Sequence, residues 1–351
     1  MVFSSWKKGV GQLNSTLHDV WSRQEDREAV KRKKNDQGNH ECEILGHGPI
    51  LAESAYAWDT CSKNPGHVHF IPVPQFCVGH LPEKCASPAL VECVKTMAAL
   101  TVRLRVSYTS WGRPDGYSFS NHRGSNFLHT GSGWVRNVNA GSGPCQCLEC
   151  RQSSAPSPTW YEVHLETACH VVYNTEEAQA TMVDFFYDDA RALAEGWTDT
   201  INAAKPIDQD EKGDTCSVLC VTHNQRLFEM LQVYLTKVRN IKYYGPHTVR
   251  FPSGWRYLCV IISHPHGQPK QVTLARATPC PRVEGSRRYF TYPTATCPGS
   301  SGAPMLIAEL AKRGLVNHCN SFISLLAPHS QWVPVEGLNM SAASSTHFSP
   351  L

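Results

Sequence analysis

The stretch "TATCPGSSGAPM", residues 294–305, frames Ser301 between Gly299, two residues before it, and Gly302, directly after it. Glycine–serine clusters mark ordinary turns in many chains. The same pattern suits a serine held up for nucleophilic attack. Such a serine needs a base to take its proton, a carboxylate to orient that base, and amides that stabilise the oxyanion. The rest of the chain decides between turn and active site.

A base is available upstream. In "VHLETACHVVY" (163–173), His170 stands at the end of an apolar strand, after the small pair Thr167-Ala168. Small residues there let an imidazole project from the strand end into a cleft. His170 is one of 17 histidines, so its placement alone decides nothing. The carboxylate candidate is Asp214 in "KGDTCSVLCV" (212–221), just ahead of another apolar strand, where a carboxylate can be buried and still reach an imidazole nitrogen. His170 and Asp214 are 44 residues apart, and Asp214 and Ser301 are 87 apart.

Taken together, "TACHVV", "GDTCSVL" and "CPGSSGAP" resemble the histidine, aspartate and serine motifs of the trypsin-like (chymotrypsin-fold) serine peptidases. The order His, Asp, Ser and the separations match that group, where they are about mid-forties and about ninety. "HTGSGWV" (129–135) looks like the opening strand of the intracellular and bacterial-type branch, and "ISHPHGQPKQVTL" (262–274) like its strand–turn–strand before the serine. The resemblance covers about residues 95–341.

It implies an all-β fold of two six-stranded antiparallel barrels with the active site in the cleft between them. His170 and Asp214 are then supplied by the first barrel and Ser301 by the second. It also implies a serine endopeptidase acting on a protein or peptide substrate through an acyl-enzyme, with the amides of Gly299 and Ser301 as the oxyanion hole. Asp184, Asp188 and Asp189 in "VDFFYDD" (183–189) compete for the aspartate role, but they follow His170 by only 14 to 19 residues. That is short for a chain that must first complete most of a barrel. The rival reading is an inactive trypsin-like fold serving as a protein-binding module; inactive relatives commonly lose a triad residue, and here all three positions are filled.

The departures from the family bear on specificity and control. Ala295 stands six residues before Ser301, where Arg/Lys-specific members carry an aspartate. Substrate side chains that are uncharged are therefore expected before the cut, or Gln and Glu if His318 lines the pocket; a structural role for His318 is equally open. The Ile-Val-Gly-Gly start of secreted trypsins is absent, so activation by a newly cut N-terminus is not expected.

Outside the triad motifs, short strands are predicted from alternation and turn residues: "TVRLRVSY", "SGWVRNV", "WYEVHLETA", "MVDFFY", "CSVLCVTH", "WRYLCVIIS", "QVTLARA", "APMLIA" and "NSFISLLA". Helical interruptions are expected at "TEEAQATM" or "RLFEMLQVYLTK". Residues 1–94 form a separate N-terminal region, a polar helix followed by an irregular Cys/His/Pro-rich segment, and 342–351 a tail. Lys31-Arg32-Lys33-Lys34 reads as a solvated helix end or a nuclear localisation patch.

The net charge of +3, from 33 basic and 30 acidic residues, gives no reason to expect a nucleic-acid partner. No stretch has the apolar length to span a bilayer, so no membrane partner is expected either. The 15 cysteines, an odd number without a secretion signal, point to thiols in a reducing, intracellular compartment, the cytoplasm foremost. Cys145, Cys147 and Cys150 in "CQCLEC" are candidate ligands of a structural zinc with a fourth ligand from elsewhere; a local disulfide and simple thiols are the alternatives. No other cofactor is expected.

Overall fold

The computed structural model describes residues 40–241 and 257–344, apart from 41, 47–49, 84–85, 146, 212–213, 285–286, 310–326, 329–331 and 336–337. The expected N-terminal helix, the basic patch at 31–34 and most of "NSFISLLA" lie outside the described residues. In chain order the first half holds β1 (Ile44–Leu45), α1 (Ile50–Asp59), β2 (Ile71–Pro72), α2 (Pro88–Leu100), β3 (Thr101–Val106), β4 (Leu128–Ala140), α3 (Leu148–Gln152), β5 (Tyr161–Thr167) and α4 (Thr175–Gln179). Then follow β6 (Thr181–Phe185), α5 (Ala190–Ala194), β7 (Asp199–Asp210), β8 (Thr215–Thr222) and α6 (Gln225–Ile241). The second half is β9 (Tyr257–Ser263), β10 (Gln271–Glu284), β11 (Arg287–Tyr292), β12 (Pro304–Glu309), β13 (Ala327–Pro328), β14 (Trp332–Val335) and β15 (Leu338–Ser344). Among the described residues no helix is long and apolar enough to cross a membrane.

Alternation builds the first sheet. In β8, Cys216, Val218, Cys220 and Thr222 are buried while the residues between them are half-exposed. The strands run in the order β4-β3-β6-β7-β8-β5, and β5 pairs back onto β4, closing a six-strand barrel. Val102, Leu104, Val163, Leu165, Val183, Phe185 and Val218 share its core, and α6 lays Leu227, Phe228, Leu231 and Leu235 against it. Each such side chain stabilises the fold by about 1.5–3 kcal/mol when fully buried.

The other face of β3 departs from the simple pattern. Arg103 is as buried as its apolar neighbours and shares the Asp184 carboxylate with Arg105, at 2.8 and 2.7 Å. Asp184 is thereby held below the usual carboxylate range: burial opposes ionisation, and the two guanidinium groups outweigh it.

The second sheet runs β13-β12-β9-β10-β11-β15-β14, with β2 added to β10. Its end strands do not pair among the described residues, so the second closed barrel expected from the family resemblance is not shown. One edge is poorly equipped to continue the ladder. Among the described residues β13 meets β12 through Pro304↔Pro328 and Met305↔Ala327, and proline has no N–H to donate.

The region before residue 95 is more regular than expected. Ser87 caps α2 by accepting from the Leu90 N–H, and Pro88 occupies its first turn. Leu90, Val94, Met97 and Ala98 then form one buried stripe, packed on Val260, Ile262, Val272 and Leu306 of the second sheet. The segment is part of that core.

Candidate active site

β5 and β8 are paired, and their register runs to Thr167↔Cys216 at one end of the barrel. His170 follows β5 and Asp214 precedes β8 at that same end, so the two meet just beyond the ladder. His170 Nδ1 lies 2.7 Å from Asp214 Oδ2, and the His170 backbone N–H donates to Oδ1 at 2.9 Å. Both residues are buried. Burial alone pushes a carboxyl upward; the neighbouring His170 and His40, with the hydrogen bonds from His170, outweigh it and hold Asp214 at about 2.

A buried ion pair fixes the turn that carries His170. Arg113 donates twice to Glu177, at 2.6 Å from Nε and 2.6 Å from Nη2, and its Nη1 donates to the His170 carbonyl at 3.0 Å. Glu177 also accepts from the backbone N–H groups of Ser110 and Tyr173. Burial works against the Glu177 carboxylate, but the Arg113 guanidinium holds it below its ordinary value. Sequence reasoning missed both residues, because a bidentate pair 64 positions apart leaves no local pattern.

The Ser301 loop joins β11 to β12. Gly299 and Gly302 have φ of +89° and +84°, a region that side chains rarely enter. A Cβ at Gly299 would stand 2.5 Å from the His264 carbonyl, and one at Gly302 would collide with the Ser132 carbonyl and come 3.0 Å from Ala168 N. Gly302 thus presses the loop onto the first barrel, two residues from His170. Ser132 fastens it further: its N–H donates to the Ser301 carbonyl and its hydroxyl to the Gly299 carbonyl, each at 2.8 Å. Among the described residues neither the Gly299 nor the Ser301 amide donates a backbone hydrogen bond. Ser300 is otherwise engaged, with its Oγ 3.1 Å from Ser263 Oγ and accepting from Cys297 N.

His170 Nε2 and Ser301 Oγ are both buried, and each lacks a hydrogen-bond partner, so no bond joins them. A residue that sequence reasoning did not single out stands beside His170 and Asp214. The His40 ring stacks on His170 at 4.0 Å between centroids, and its Nε2 lies 3.4 Å from Asp214 Oδ2. His40 Nδ1 is 2.8 Å from Ser118 Oγ.

The competing aspartates have other partners. Asp184 serves Arg103 and Arg105, Asp188 accepts from Lys270 at 2.8 Å, and Asp189 caps α5. Ala295 is half-buried in the loop before Ser301, between buried Thr294 and Thr296. His318 lies outside the described residues. Cys145, Cys147 and Cys150 come together as thiols around His223, a fourth donor from the end of β8 that sequence reasoning did not identify. A second group, Cys61, His67, His266 and Cys297, gathers where the N-terminal segment meets the Ser301 loop.

No family model and no curated protein matches the chain. Among solved structures it is similar to the crystal structure of the Rv3671c protease in an inactive form, at TM-score 0.34 and 16% identity, over 74% of this chain and 92% of that one. It is likewise similar to an inactive serine-to-alanine mutant of Rv3671c from M. tuberculosis H37Rv, at TM-score 0.33 and 15% identity, over 74% and 89%.

Proposed function

We propose that the protein is a serine endopeptidase that cuts peptide bonds through Ser301, His170 and Asp214. One observation carries this reading. A buried His170–Asp214 pair leaves the imidazole's Nε2 without a partner, at the wall where the glycine-framed Ser301 loop also holds an unpartnered hydroxyl. In this reading Ser301 Oγ attacks the scissile carbonyl while His170 Nε2 takes its proton. Asp214 accepts from Nδ1–H, fixes the tautomer and stabilises the imidazolium. The proton then passes to the leaving amine, and water, activated by the same nitrogen, releases the acyl group. The amides of Gly299 and Ser301 face the oxyanion. Catalytic hydrogen bonds are often long before substrate binds, and here the Ser301–His170 contact closes on binding.

With Ala295 before the nucleophile, a substrate Arg or Lys gains no charge-assisted partner there to offset its lost hydration. Uncharged side chains, or Gln and Glu, are expected before the cut. The absent Ser301–His170 bond favours the rival, a binding module on the same fold, and one experiment separates the two. Full-length protein is incubated with a proteome-derived peptide library. Cleavage without Arg/Lys preference, lost in Ser301→Ala, is expected; no cleavage, or cleavage unchanged in Ser301→Ala, rules the peptidase reading out.

A further inference from the structure

We propose that Cys61, His67, His266 and Cys297 form a zinc site that ties the N-terminal segment to the Ser301 loop. One donor atom from each lies within 4.8 Å of all the others. Cys61 Sγ and Cys297 Sγ are 3.7 Å apart, and Cys297 Sγ and His67 Nε2 are 3.4 Å apart. Tetrahedral zinc, with bonds of about 2.3 Å to sulfur and about 2.0–2.1 Å to nitrogen, sets two sulfurs about 3.8 Å apart and sulfur and nitrogen about 3.5 Å apart. A disulfide needs about 2.05 Å between the sulfurs, so the pair is placed as two ligands and not as a bond.

The surroundings are those of a metal site. His266 Nε2 is buried and has no hydrogen-bond partner. Its other nitrogen, Nδ1, lies 2.9 Å from Glu43 Oε2, the carboxylate–histidine arrangement that orients an imidazole toward a metal and fixes its tautomer. Asn64 supplies donors to both sulfurs, from its backbone N–H to Cys61 at 3.4 Å and from Nδ2 to Cys297 at 3.1 Å. Trp58 stacks on His67 at 3.6 Å and shields that side. Both histidines adopt left-handed backbone, φ 47° for His67 and 54° for His266, which non-glycine residues take up mainly where the site holds them.

A separate observation carries a second zinc site. Cys145, Cys150 and Cys147 place their sulfurs 3.2, 3.5 and 4.0 Å from His223 Nε2, a Cys3His set closed by the residue that follows β8. Neither assignment depends on the peptidase reading; only the bearing of the first site on the Ser301 loop does.

The test is the zinc content of purified full-length protein, measured by inductively coupled plasma mass spectrometry. Two zinc ions per chain are expected in wild type, one in Cys61→Ser, one in Cys147→Ser and none in the double variant. Wild type without zinc overturns both sites. Cys61→Ser retaining all the wild-type zinc, or a single wild-type ion lost in Cys147→Ser, overturns the first. A single ion lost in Cys61→Ser overturns the second and supports the first. Cobalt(II) titrated into metal-free wild type avoids reliance on the variants' folding. The intense absorption of tetrahedral thiolate-bound cobalt should rise to two equivalents, and saturation with weak octahedral absorption contradicts the proposal.

Discussion

Asp214 and Asp184 are both buried carboxylates, and their partners separate their roles. Asp214 faces the His170 imidazole, whereas Asp184 is closed in by Arg103, Arg105 and Thr200. Replacing Asp214 by Asn leaves the imidazole in the wrong tautomer, so kcat on a cleaved peptide should fall by about 10⁴ with the fold intact. Replacing Asp184 by Asn strips a buried ion pair and should appear in denaturant unfolding, at about 3–5 kcal/mol. The reverse pattern, with activity collapsing only in Asp184→Asn, contradicts the aspartate assignment. Asp214 is held from 3.8 down to about 2, so it favours the folded state above pH 3.8, and that contribution is lost as pH falls toward 2.

At the scale of elements, what could be read in the chain follows how local its signal is. Alternation marks β3 and β8, and the apolar spacing of "RLFEMLQVYLTK" marks α6, because the apolar side chains of each face one core. β7 escaped, since "DTINAAKPIDQD" buries only Ala203 along its length and offers no alternation to read. α2 escaped because its Leu90–Val94–Met97 stripe sits inside a region whose cysteines and prolines dominate the eye. The meeting of His170 and Asp214 follows from register, which brings two strand ends together. The Cys61–His67–His266–Cys297 group was not, because its donors come from three separated stretches with no tight ligand pair. If zinc binds there, it braces the loop between β11 and β12 through Cys297, four residues before Ser301. Hydrogen exchange of 293–303 should therefore speed up in Cys61→Ser and stay unchanged in Cys147→Ser; equal exchange in both variants and wild type contradicts the brace.

At the scale of the whole molecule, the segment from Glu43 to Leu100 is a structural part of the candidate site. Lys63 and Asn64 reach Thr296, at 3.2 and 2.9 Å, and Ser54 bonds both the His266 carbonyl and Gln268. Arg103 crosses from the first barrel to donate to the Gly267 carbonyl at 2.8 Å, holding the turn against which Gly299 packs. His170 and Asp214 thus stand at one end of the first barrel, Ser301 stands in a loop of the second sheet, and the N-terminal segment holds that loop through Lys63 and Asn64. On the proposed peptidase reading, Ser301 is reactive only where these three parts are assembled. The most direct test is labelling of folded full-length protein with a fluorophosphonate, followed by peptide mass mapping. One adduct, on Ser301, is predicted, with labelling abolished in Ser301→Ala and strongly reduced in His170→Ala. No adduct on the folded wild type, or an adduct that persists in Ser301→Ala, contradicts a nucleophilic Ser301.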